Sequence, residues 1–304
     1  MTPDDEARWE RQCHAATGVA SLGLDPTRVT TVEPLHRRRG SALYRIWCGA
    51  QSFILKEFLE RDPVEPRSYA LLGSCGVPTL RVHGCRTDAL LLEDLAANSA
   101  WRLANEADGD RPETGTAVAE WYRALHAAGR TLLSRPEGPP GFLKREADVL
   151  DGATILGIGL ALGIDSPAWA LAAEHIEGLK AALRALPETL NHNDFHWTNL
   201  ALSRHGPLRA IVFDHHLLGI GPAFSDWRNV STSLEDRARV AFQETYGPVE
   251  AAEEAAVLDA PVSLLVALHA AVGQPKLPRW AETGIRAVRD GQLERMLRRA
   301  AEHS

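Results

Sequence analysis

The stretch LNHNDFHWTNLAL, residues 190–202, sets His192, Asp194 and His196 at alternate positions and Asn199 five residues after the aspartate. The first three can each bind a metal or carry a proton. Read as a metal site, His192 and Asp194 with a remote histidine form the facial triad of a non-haem iron centre, which leaves coordination positions open. Read as plain structure, the segment is a polar turn whose side chains cap nearby backbone. Read as a transfer loop, Asp194 is the working carboxylate and Asn199 its companion. The surrounding chain separates these readings.

On the C-terminal side come two strand-length apolar runs, LALS and RAIVFD, and the second ends in Asp214, fifteen residues after Asn199. An aspartate closing a strand can reach a metal ion that a loop asparagine also reaches. Asp194 followed by four residues and Asn199 has the spacing of a kinase catalytic loop. Phosphoryl transfer needs a carboxylate to orient and accept the proton of the attacking hydroxyl, and hard oxygen ligands for Mg²⁺. Asp194 fits the first role; Asn199 and Asp214 fit the second. Zinc would instead recruit thiolate or imidazole. The iron triad belongs on a β-rich barrel, whereas TAVAEWYRALHAAGRTLL and AWALAAEHIEGLKAALRALP carry apolar residues at helical spacing in this half of the chain.

Upstream, the texture is strand-like from residue 40 to 95. ALYRIW and SFILKEF alternate around a CGAQ turn and predict a β-hairpin that places Lys56 on a strand. Its ammonium can point toward phosphates. Gly40 and Ser41, in RRRGSAL, can form a tight turn whose backbone N–H groups face phosphate oxygens. Glu65 opens the short helical pattern VEPRSYALLGSCG and can pair with Lys56. Taken singly, these are an edge lysine, a turn and a residue suited to a helix start. Their order and spacing together favour a nucleotide. PTLRVHG and DALLLEDL predict two further strands, RPEGPPG a loop, and residues 3–20 a helix with a charged face.

The whole-chain numbers narrow the setting. A chain of 304 residues with 45% hydrophobic and 24% charged residues is globular, with two domains a fair expectation. Four scattered cysteines, Cys13, Cys48, Cys75 and Cys85, read as reduced thiols, and the acidic N-terminus is unlike a secretory signal. With no apolar run of membrane-spanning length recognised, the expectation is a cytoplasmic protein with no membrane partner. The net charge of −7 argues against nucleic acid, and most of it falls beyond residue 95, which fits ordinary solubility or a cleft that attracts a cationic small molecule. Nothing implies an obligate protein partner.

With these parts in order, the chain resembles the aminoglycoside phosphotransferase and choline kinase-like small-molecule kinases. The resemblance runs from the ALYRIW…FILKEF hairpin through EPRSYALLGSCGVPTLRVHG, LLLEDL and YRALHAAG to HNDFHWTNLAL and IVFDHHLLGIGPAFSDWRNV. It implies an α+β, two-lobed protein-kinase-like fold with a β-rich N-lobe at 1–94, a hinge at 95–97 and a helical C-lobe at 98–304. It implies Asp194 as catalytic base, Asn199 and Asp214 as Mg²⁺ ligands, Lys56 as the phosphate-binding lysine and Glu65 as its partner. Glu93 and Leu95 match the hinge positions whose backbone bonds adenine, and His192 braces the loop. The implied activity is transfer of the γ-phosphoryl of ATP or GTP to a hydroxyl of a small molecule. An aminoglycoside or other hydroxylated antibiotic comes first, an amino alcohol or sugar next, and a nucleotide-binding pseudokinase is the rival. Three departures stand out: GIGPAFSD lacks the family's acid before its proline and has one extra residue before Asp226, His215 and His216 follow Asp214, and HRRRGSAL holds one glycine.

Overall fold

Strand propensity and helical periodicity divide this chain in sequence, and a computed structural model, which describes residues 18–37 and 40–303, follows that division. All but the last three residues of the helix expected over residues 3–20 lie outside the described residues, as do Cys13, Arg38 and Arg39. The structure is mixed α+β, with β-sheet in the N-terminal region and helices in the C-terminal region. It forms two compact units that interleave along the chain.

The first unit comprises Met1–Ala124, Asp194–Leu217 and Ser231–Tyr246. Its main sheet is antiparallel, in the order β1 (Val29–Arg37), β2 (Ser41–Cys48), β3 (Gln51–Phe58), β5 (Ala89–Glu93), β4 (Val82–Arg86). The expected hairpin is β2–β3, closed at Gly49, whose φ of 63° suits a residue without Cβ. Helix α1 (Glu65–Ser74) starts with a proline at its first turn and stops just before Gly76, at φ 73°. A smaller sheet pairs β6 (Trp101–Leu103), β8 (Leu200–Ser203) and β9 (Ala210–Val212). Phe58, Tyr69, Leu80, Leu90, Leu92 and Leu95 form one apolar cluster with Ala201 and Ile211, so the small sheet packs on the large one. Each such side chain contributes roughly 1.5–3 kcal/mol when fully buried. Helices α2 (Pro112–Leu133, up to Ala124) and α6 (Asp236–Tyr246) complete the unit.

The second unit comprises Leu125–Asn193, Leu218–Val230 and Gly247–Ser304. It holds α3 (Gly152–Leu162), α4 (Ala168–Ala185), α7 (Ala252–Val272), α8 (Ala281–Arg289), α9 (Gln292–Ala301), most of α5 (Ala223–Ser233), and a ribbon of β7 (Glu188–Asn191) with β10 (Gly219–Pro222). The second half of α2 lies tight on that ribbon: a Cβ at Gly129 would stand 2.2 Å from the Leu190 nitrogen. One expectation is corrected here. Helix α7 is long and apolar enough to cross a membrane by length and composition. It buries Ala255, Leu258, Val262, Leu265, Leu268 and Ala271 in the unit's core, which accounts for its apolarity.

Candidate active site

Alternation along β3 decides where Lys56 points. Phe53 and Leu55 face one apolar cluster, while Ile54 and Phe58 face the cluster under α1 and the small sheet. Lys56 shares the second face and is 8% exposed. Its Nζ meets Glu65 of α1 at 2.5 Å and the Asp214 Oδ1 at 2.7 Å. Burial disfavours the ammonium, but Glu65 and Asp214 outweigh it and raise the Lys56 pKa. Burial pushes the Glu65 carboxyl up, to about 7, against the pull of Lys56.

Asp214 follows β9 with φ 68°, a left-handed conformation that aspartate tolerates better than most residues. Burial opposes its ionisation, yet the His216 hydrogen bond and the Lys56 charge hold the carboxyl far below the usual carboxylate range. His216 Nδ1 lies 3.2 Å from Asp214 Oδ1. Burial disfavours the imidazolium, and Asp214 overcomes that and raises the pKa of His216. Next to this group, the Asn199 amide nitrogen donates to the Asp194 carbonyl (3.2 Å) and to Asp194 Oδ2 (3.1 Å). The Phe213 N–H donates to the Asn199 carbonyl at 2.9 Å, tying the loop to the strand that delivers Asp214.

Ligand atoms of Asp194, Asp214 and His216 lie within 4.8 Å of one another. Two carboxylates and one imidazole at that spacing fit a divalent cation, with Asn199 fixing the orientation of Asp194. His192 and His196 are outside this group. His192 is fully buried, and the ring of His196 caps the turn at Trp197–Asn199, with Nδ1 2.8 Å from the Thr198 hydroxyl.

The remaining expected positions lie in the first unit. Gly40 and Ser41 lie where β1 passes to β2; the Gly40 carbonyl accepts from Leu59, and Ser41 pairs with Phe58. Glu93 ends β5, where its N–H donates to the Arg81 carbonyl and its carboxylate accepts from the Arg81 N–H (2.7 Å) and the Asn98 amide. Leu95 is buried in the shared cluster.

Two residues escaped the sequence reading. Asp94, between Glu93 and Leu95, accepts from Arg45 Nε at 2.7 Å, Ser52 Oγ at 2.8 Å and the Ala96 N–H at 3.0 Å, so it clamps this turn to β2 and β3. A lone acid beside Glu93 gave no signal of that. His216 was visible only as a departure.

In the second unit, Asp226 is fully buried and binds nearby backbone. Its Oδ2 accepts from the His192 N–H (2.8 Å) and its Oδ1 from the Asn193 N–H (2.9 Å), while His126 Nε2 lies 3.2 Å from Oδ2. Those bonds set the residues just before Asp194, and Asn193 holds φ 64° there.

Comparison with known proteins gives the family and the fold. A family model described as the phosphotransferase enzyme family matches residues 44–258, more than half of the chain. Among solved structures, a choline kinase from Streptococcus pneumoniae is 11% identical with a TM-score of 0.63, covering 95% of this chain and 99% of that one. A microcompartment-associated aminopropanol kinase is 16% identical with a TM-score of 0.63, covering 96% and 99%. A spectinomycin phosphotransferase solved with ADP and spectinomycin is 10% identical with a TM-score of 0.55, covering 94% and 96%. These likenesses show the protein-kinase-like fold. None of the curated proteins matches the chain.

Proposed function

The chain belongs to the phosphotransferase enzyme family, and from that premise we propose that it transfers the γ-phosphoryl group of ATP or GTP to a hydroxyl of a polar small molecule. The observation that carries this reading is Lys56 held between Glu65 and Asp214 while Asn199 holds Asp194. A lysine ammonium fixed by two carboxylates is a preformed cation for phosphate oxygens. Asp194 orients the acceptor hydroxyl and takes its proton as the new P–O bond forms. A bound Mg²⁺ would supply charge neutralisation, held by Asp214 with Asn199 and, in this chain, within reach of His216. Little covalent chemistry is asked of the protein; positioning and fixed charge do the work.

Residues 1–94 would hold the nucleotide, with Gly40, Ser41, Glu93 and Leu95 contributing backbone contacts, 95–97 the hinge, and 98–304 the catalytic loop and acceptor site. The acceptor is an aminoglycoside or another hydroxylated antibiotic, or an amino alcohol. Known relatives of this fold act on both kinds of molecule, as the choline and aminopropanol kinases and the spectinomycin phosphotransferase do. Release of ADP or GDP, measured across such a panel with Mg²⁺, tests the proposal. Acceptor-dependent turnover is expected; nucleotide binding without turnover on any acceptor would favour the pseudokinase.

A further inference from the structure

Asp194, Asp214 and His216 differ from a magnesium centre in one respect: one of the three ligands is nitrogen. Mg²⁺ takes oxygen and gives up its waters reluctantly. An imidazole beside two carboxylates suits a borderline ion such as Zn²⁺ or Co²⁺. All three residues lie in the continuous stretch Asp194–Leu217 of the first unit, and one ligand atom from each falls within 4.8 Å of the others. Ligand atoms bound at about 2.0–2.2 Å stand at most roughly 4.4 Å apart, so the group needs only a small closure to hold an ion.

The arrangement is set by bonds within the first unit. The Asn199 amide donates to Asp194 Oδ2 at 3.1 Å and orients that carboxylate. Asp214 uses a single oxygen for its charged partners: Lys56 Nζ at 2.7 Å and His216 Nδ1 at 3.2 Å both meet Oδ1. Among the described residues, Asp214 Oδ2 and His216 Nε2 make no hydrogen bond. The two side chains are 30% and 44% exposed, so an ion can arrive from solvent. Lys56 is shared with Glu65, and its charge therefore does not cancel both aspartates. Two carboxylates are what a divalent cation needs for neutrality.

We infer that Asp194, Asp214 and His216 form a site for a borderline divalent cation, Zn²⁺ or Co²⁺, which fills without nucleotide and blocks transfer by engaging Asp194. This mode is distinct from Mg²⁺ held by Asp214 and Asn199. It recruits the imidazole and the proton-accepting carboxylate, and it leaves Asn199 as a hydrogen-bond donor. The block rests on the kinase reading above; the binding does not.

The test is calorimetry of Zn²⁺, Co²⁺ and Mg²⁺ on the full, nucleotide-free chain, with Co²⁺ absorption spectra as a second readout. Zn²⁺ should bind saturably and at least about tenfold more tightly than Mg²⁺. Co²⁺ should develop visible ligand-field bands that Zn²⁺ abolishes by displacement. His216→Ala should weaken Zn²⁺ about tenfold or more, since even the outer partners of metal ligands are worth about 10–100-fold. Asp194→Asn, close in size to the native residue, should weaken it on the same scale. Thermal melts confirm that both variants fold. In Mg²⁺-supported transfer, zinc should inhibit wild type at a concentration about tenfold or more below that needed for His216→Ala. The inference is overturned if Zn²⁺ binds no better than Mg²⁺, if either variant binds Zn²⁺ as wild type does, or if zinc inhibits wild type and His216→Ala alike. Zinc binding with these variant effects, but no turnover on any acceptor with Mg²⁺ alone, would instead sink the kinase reading.

Discussion

Asp214 in the first unit and Glu146 in the second are both shielded carboxyls, and their surroundings drive them in opposite directions. Asp214 has a lysine at 2.7 Å and a histidine at 3.2 Å, so its ionised form is secured before any ligand arrives. Around Glu146, burial and the charges of Asp259 and Asp226 oppose ionisation, and Arg228 favours it without offsetting them. The contrast teaches that burial alone does not set what an acid does. The charged neighbours decide whether burial or ionisation wins.

The largest expected effect is at the catalytic loop. Asp194→Asn should lower turnover about 10²–10⁴-fold, roughly 3–5 kcal/mol of transition-state stabilisation. Nucleotide affinity should stay near wild type, because the role proposed for Asp194 concerns the acceptor's proton and not the triphosphate. Steady-state kinetics beside nucleotide titration separates the two, and wild-type turnover in this variant would remove Asp194 from the mechanism. Lys56→Ala comes next, with a loss of about 10²–10³-fold, the scale for one preorganised electrostatic contact. It should also free Asp214 from its lysine, so turnover should become more sensitive to Mg²⁺ concentration than in wild type.

The two carboxyls also predict opposite responses of stability to pH. Glu146 is raised in the folded state from 4.5 to about 7. Its contribution is present below pH 4.5 and is lost as pH rises through about 7, a change on the order of 3 kcal/mol. Asp214 is lowered, so its contribution is present above the ordinary aspartate range and fails only as the solution becomes strongly acidic. Denaturant titrations across that window should show Glu146→Gln flattening the fall toward neutral pH. An unchanged slope in that variant would mean that Glu146 is not the group responsible. The smallest effect is expected at His196→Ala, where a turn cap is lost at about 0.5–2 kcal/mol and turnover survives within a few-fold. Metal-linked collapse of that variant would restore the histidine–aspartate metal cluster as the reading of residues 190–202.

Much of the architecture was legible because local rules act within a few residues. Alternation gave the β2–β3 hairpin, and the spacing of apolar residues gave α2 and α4. The three-residue strands did not announce themselves: β6 is fixed by pairing with β8, a partner about a hundred residues away. Helix α7 shows the same limit from another side, since its apolar content has meaning only against the core that covers it.

At the site, the sequence by itself determined which side chains are available and in what order: Lys56, Glu65, Asp194, Asn199 and Asp214 have the residue types and spacings that phosphoryl transfer requires. Only the tertiary structure decided which of them meet. It brought Lys56 to Asp214 across 158 residues, put His216 beside that aspartate and turned His196 into a cap. It also left Glu146 without an ion-pair partner while pairing the charges around it. Charge pairing depends on distances of a few ångströms between remote segments, and packing sets those distances; no local pattern encodes them.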